Sequence, residues 1–150
     1  MQALTRSQIW LRRFCVLAVL MVSVVIILGA WTRLSDAGLG CPDWPGCYGH
    51  LDVRKAIDHV NTTNSAMPGS LREAHKTVPE MVHRYFASKL GLVILIIAAL
   101  SLLNRKKEKQ PVKLPLFLLA LVIFQGILGK WTVTMGPVSY THLTLPTISS

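Results

Sequence analysis

The sequence predicts an all-α integral membrane helical bundle with three crossing helices, and three observations carry that reading. Hydrophobic residues make up 51% of the chain and charged residues only 15%. The charges are gathered into three stretches, so three apolar runs remain: 14–32, 85–103 and 114–131. At about 1.5 Å per residue, a helical run of this length covers roughly 28 Å, close to the hydrocarbon thickness of a bilayer.

Each run has its own flanks. Arg6, Arg12 and Arg13 precede the first, as they would in a secretory signal. Its apolar core exceeds the roughly 7 to 15 residues of a signal, and Leu28-Gly29-Ala30 is a poor small-x-small cleavage site, so it reads as an uncleaved anchor. Trp10 beside Arg12 and Arg13 suits the membrane interface, and Cys15 just inside is a small apolar filler. The second run holds one charge, Lys89, which is expected to snorkel back toward the headgroups. The third ends in Gln125-Gly126-Ile127-Leu128-Gly129-Lys130-Trp131, where the glycines permit close helix approach and Trp131 marks an interface. Residues 136–150 are too short and too polar to cross again, and they stand apart from 1–135 as an atypical tail.

Charge asymmetry orients the chain. Residues 1–13 and 104–113 contain three and five basic residues against the single Glu108, a net of +7, whereas 31–84 contain six basic and six acidic residues. The positive-inside rule then puts the N-terminus and the 104–113 hairpin in the cytoplasm and the 33–84 loop on the outer, periplasmic side. Most of the formal +9 is therefore a topology signal. Arg105-Lys106-Lys107 has no interleaved aromatics, so nucleic acid is excluded as a partner.

The long loop opens with a dense run of turn formers, 35–49, that predicts a compact non-helical knot. Within it, Cys41 and Cys47 face an oxidising compartment, where they would form a structural disulfide, a redox-active pair or two free thiols. Residues 51–77 are polar and weakly patterned, with a candidate short surface helix at 53–60. His50, His59 and His75 fall in this region and read as solvated surface residues. Pro79 then suits the start of the second crossing helix, with Thr77 or Val78 just outside it. Residues three apart share a helix face, so Glu80 and His83 form an ionisable pair at the head of an apolar span. Such a pair is either solvated in the headgroup layer or partnered by a metal, a cofactor or a counter-charge.

Three ordered motifs bring a family into view. The segment from Gly29 through Arg33-Leu34-Ser35-Asp36-Ala37-Gly38-Leu39-Gly40-Cys41-Pro42-Asp43-Trp44-Pro45-Gly46-Cys47 closely resembles the first outer loop of the heme A synthase family. Glu80-Met81-Val82-His83-Arg84 looks like that family's Glu-x-x-His-Arg, and 125–134 looks like the end of its third helix. The resemblance covers roughly residues 10 to 135.

It implies that this chain is the N-terminal part of a four-helix half of an eight-helix enzyme of the bacterial inner membrane. Such an enzyme oxidises a methyl group of heme O to the formyl group of heme A for cytochrome oxidase assembly. His83 would be an axial ligand to the iron of the substrate heme, Glu80 the catalytic carboxylate, and Cys41 and Cys47 the family's outer-loop disulfide pair. A resident heme b belongs to the other half. Heme O, membrane lipid, a heme O synthase, assembly factors of the oxidase and a second copy of the chain are the implied partners. The departure is at the end: His142 falls eleven residues after Trp131 and stands in for the family's second axial histidine without the apolar helix that should follow. Two other functions fit the same residues, a membrane thiol-disulfide oxidoreductase using Cys41 and Cys47, and a non-catalytic heme carrier using His83.

Overall fold

The structure, a computed structural model, describes residues 6–66, 74–106 and 110–141. Four helices follow in order: α1 (Arg6–Leu34), α2 (Val53–Ala66), α3 (Ala74–Leu103) and α4 (Lys113–Thr141). α1, α3 and α4 are long and apolar enough to cross a membrane. Among the described residues no strand forms, and a single isolated bridge joins Cys47 to His50. α1 and α4 are apolar all round rather than amphipathic, which is how a helix reads when lipid is its solvent. The helices exceed the apolar runs that predict them because a helix of 29 residues is about 43 Å long and its polar ends extend past the hydrocarbon.

The chain divides into two compact units, one of Met1–Trp31 with Val82–Gln125 and one of Thr32–Met81 with Gly126–Ser150. In the first, α3 buries Leu90, Val93, Ile94, Ile97, Ala98 and Ser101 while Leu92 and Leu95 stay exposed. That three-four spacing is a helix stripe turned toward protein, within a run whose composition alone reads as uniformly lipid-facing. α4 passes alongside α3 at Gly91, where a Cβ would make ordinary contact with Val122 Cγ1 at 3.6 Å. Among the described residues, Gly126 and Gly129, the glycines expected to permit close helix approach, have nothing within 4 Å of where a Cβ would be. A small residue brings helices together only where a neighbour faces it, and in α4 the exposed Ile127 and Trp131 show an open side instead. Cys15, expected as a filler, is exposed. Lys89 does turn back along its helix, its ammonium 5.6 Å from the centre of the Phe86 ring.

Polar clasps close the other end of this unit. Ser7 Oγ donates to Asn104 Oδ1 at 3.0 Å, and Asn104 Nδ2 donates to the Leu100 carbonyl at 2.7 Å. The fully buried Ser101 hydroxyl donates to the Pro111 carbonyl and accepts from Gln110 Nε2 at 3.2 Å. Replacing Ser101 by alanine removes both bonds, and because Gln110 is half-buried and Pro111 exposed it is expected to destabilise by about 0.5–1.5 kcal/mol. Thermal unfolding in detergent measures this, with Ser88→Ala as a near-neutral reference because the Ser88 hydroxyl bonds its own helix on an exposed face.

In the second unit, residues 35–50 form no helix, as their turn formers dictate. α2 extends from 53 to 66, six residues beyond the candidate helix, and buries Ala56 and Val60, a four-residue spacing on one face. The Asp52 carboxylate accepts the Arg54 N–H at 2.8 Å and so caps its first turn. α3 begins at Ala74, five residues ahead of the expected start, with Pro79 inside it. As the sixth residue of α3, Pro79 forfeits the backbone bond that an N–H there would make to the His75 carbonyl, and the helix runs on through it. Thr77 is consequently a buried helix residue rather than a flanking one.

Candidate functional site

The disulfide-closed loop is assembled from backbone geometry. Cys41 and Cys47 are joined and both are buried. The strand-like pair Cys47 and His50 exchange two backbone bonds of 2.9 and 3.0 Å around a two-residue turn, Tyr48-Gly49, in which both residues have positive φ, 51° and 78°. This is the type I′ arrangement, which glycine enters freely and tyrosine does not. Asp43 compensates: its two carboxylate oxygens accept the Tyr48 and Gly49 N–H groups at 2.6 and 2.8 Å. The Tyr48 hydroxyl donates to the Gly40 carbonyl at 3.1 Å, and Gly46 has no room for a side chain, since a Cβ would meet the His50 carbonyl oxygen at 2.6 Å.

This loop is seated on the first turns of α3. Gly40 lies against the Lys76 backbone, where a Cβ would be 3.0 Å from the carbonyl oxygen. The Thr32 hydroxyl donates to the Pro79 carbonyl at 3.1 Å. The Cys41 N–H donates to Glu80 Oε2 at 2.9 Å, and Glu80 is only 4% exposed. A bond between a backbone N–H and a buried carboxylate is charge-assisted and contributes about 1.5–3 kcal/mol. Glu80 is thus shielded from solvent: the loop of the cysteine pair covers it. Lys76 adds an exposed ion pair, Nζ to Asp36 Oδ2 at 3.3 Å, which holds little energy in water.

His83 stands one turn further along α3. Its ring packs on α1 at Gly29, where a Cβ would come within 3.0 Å of Cε1 and 3.5 Å of Nδ1, beside the Val25 carbonyl. Among the described residues, His83 Nδ1 and the Thr77 hydroxyl are buried without a hydrogen-bond partner, although the imidazole makes a backbone hydrogen bond at Val25. Sequence reasoning singled out Glu80, His83, Cys41 and Cys47; it named Gly29 and Thr32 only within the family-like segment and Thr77 only as a helix flank, and gave none of the three a part in the site. Gly29 carried no signal of its own, because an intrahelical glycine in an apolar run looks like any small residue until the group it faces is known. His142 lies outside the described residues. Among the described residues no group of three or more His, Cys, Asp or Glu is placed to hold a metal ion. Burial of both half-cystines also hides their sulfurs from an attacking thiolate, which thiol exchange requires.

Fold and site together define a multi-helix membrane protein that buries a carboxylate beneath a disulfide-closed loop at the head of one spanning helix. The chain belongs to the cytochrome oxidase assembly protein family, whose model it matches over residues 12–147. It is 50% identical over 126 residues to a heme A synthase of Shewanella oneidensis, a match covering 84% of this chain and 36% of that protein. A heme A synthase of Agrobacterium fabrum is 32% identical over 151 residues, covering 91% of this chain and 39% of the relative. One from Parvibaculum lavamentivorans is 28% identical over 137 residues, with 82% and 39% covered. The chain therefore spans well under half the length of the relatives it matches. No solved structure matches it.

Proposed function

We propose that this chain carries the substrate-holding part of a heme A synthase, which oxidises the methyl group of heme O to the formyl group of heme A. The observation that carries the reading is the Glu80 carboxylate, buried and fixed by the Cys41 N–H, three residues ahead of His83 in the same helix. The residues fit a heme: a macrocycle brings its own four nitrogens, so one axial imidazole suffices where a cluster of protein ligands is absent. His83 binds and orients the substrate through its ring, held against Gly29. Iron chemistry supplies the oxidation when the heme is bound. Glu80 stabilises positive charge developing at the oxidised carbon or takes its proton on a carboxylate oxygen, with Oε2 kept in place by the loop. The resident heme b and a second axial histidine, for which His142 is the candidate in this chain, complete the proposal together with the orientation the charges favour: N-terminus in the cytoplasm and residues 33–84 on the outer face of a bacterial inner membrane. A heme O synthase and oxidase assembly factors are the proposed partners for delivery and acceptance.

The test is heme titration of the purified chain in detergent. An axial-imidazole spectrum is expected, abolished in His83→Ala and kept in Cys41→Ser. A spectrum that survives His83→Ala would remove the reading, and one lost only in the cysteine variant would move the chemistry to the thiols.

A further inference from the structure

The first loop brings together two imidazoles that the proposed heme chemistry does not use. The ring centres of His50 and His59 are 5.7 Å apart with the planes tilted by 58°. The two residues come from different elements, His50 from the end of the disulfide hairpin and His59 from the middle of α2. Each is fixed separately. The backbone of His50 is tied on both sides to Cys47, and the His59 ring is stacked on Tyr48 with centres 5.9 Å apart. His59 is exposed and His50 partly so, which leaves the pair open to solutes.

We propose that His50 and His59 bind one divalent transition-metal ion of the zinc or copper type, bridging the disulfide hairpin and α2. An imidazole nitrogen lies about 2.0–2.1 Å from such an ion, so two rings on one ion at a roughly tetrahedral angle have centres on the order of 5–6 Å apart. The observed separation falls in that range. Neutral imidazole selects zinc, copper or nickel over calcium and magnesium, which require oxygen ligands. Among the described residues no third side chain completes the set, so water fills the remaining positions and the ion exchanges readily. Its structural effect is to pin α2 to the hairpin whose other side, through the Cys41 N–H, holds Glu80.

Isothermal titration of Zn²⁺ into the full chain in detergent tests this. One ion per chain is expected, with affinity weakened roughly tenfold or more in either His50→Gln or His59→Gln, since loss of a direct ligand exceeds the loss of an outer-shell partner. His75→Gln is expected to bind as the parent does. Zn²⁺ should also slow proteolytic cleavage within α2, and His59→Gln should cancel that protection. Unchanged affinity in both single variants, or an equal loss in His75→Gln, overturns the proposal. If circular dichroism shows that His50→Gln has lost helix, His59→Gln, at an exposed helical position, decides alone. None of these readouts involves heme, so the proposal fails or stands separately from the proposed function.

Discussion

Glu80→Gln is expected to lower heme A formation by about 10²- to 10⁴-fold, the range of a positioned acid or base, while heme binding is retained. Glutamine keeps the shape and still offers an oxygen to the Cys41 N–H, so the loop stays seated and the loss reports the charge and the proton. The stability change should be about 1 kcal/mol, the difference between a charged and a neutral acceptor. Glu80→Ala is the contrasting variant. It strands the buried Cys41 N–H and should destabilise by about 1–3 kcal/mol as well as losing activity. Pigment extraction from membranes expressing each variant in the setting of an active enzyme, with heme O and heme A separated by chromatography, gives the comparison. Normal heme A output from Glu80→Gln would show that the carboxylate is structural only.

Gly29→Val is expected to weaken heme binding by roughly tenfold or more with helix content unchanged. The reason is overpacking. A Cβ at residue 29 already stands 3.0 Å from His83 Cε1, and the two methyls of valine cannot be accommodated unless the imidazole turns or α1 shifts. Crowding of that kind costs about 1–3 kcal/mol, which corresponds to about one to two decades in affinity. Gly29→Ala should be milder, because a shift of a few tenths of an ångström relieves it. The graded series Gly, Ala, Val therefore separates displacement of the ring from general damage to α1, and His83→Ala sets the floor. Affinity that ignores residue 29 while still depending on His83 would mean that the packing of the ring on α1 does not set its binding geometry.

The three spans were legible because lipid imposes length and apolarity on any segment that crosses it, and those survive in composition alone. Glu80 and His83 were legible because ionisable groups at the head of an apolar run require an explanation. The start of α3 was misplaced because Pro79 is a strong local signal for a first turn, whereas contacts made by Gly40 and Thr32 hold the helix together ahead of it. The helix approach was assigned to Gly126 and Gly129 for a similar reason: spacing shows which glycines are able to admit a neighbour, and among the described residues none faces these two.

By itself, then, the chain's order of residues determined that it is helical and that three of its helices are long and apolar enough to cross a membrane, and it singled out one carboxylate, one imidazole and one cysteine pair as candidates, since each of these follows from local composition or from neighbours within one helical turn. Only the tertiary structure decided that the Cys41 amide holds Glu80, that Gly29 seats His83, and that His50 meets His59. These pairs lie between 9 and 54 positions apart in the chain. No periodicity links residues at such separations; folding brings them together, and their energies come from burial and fit that exist only once it has.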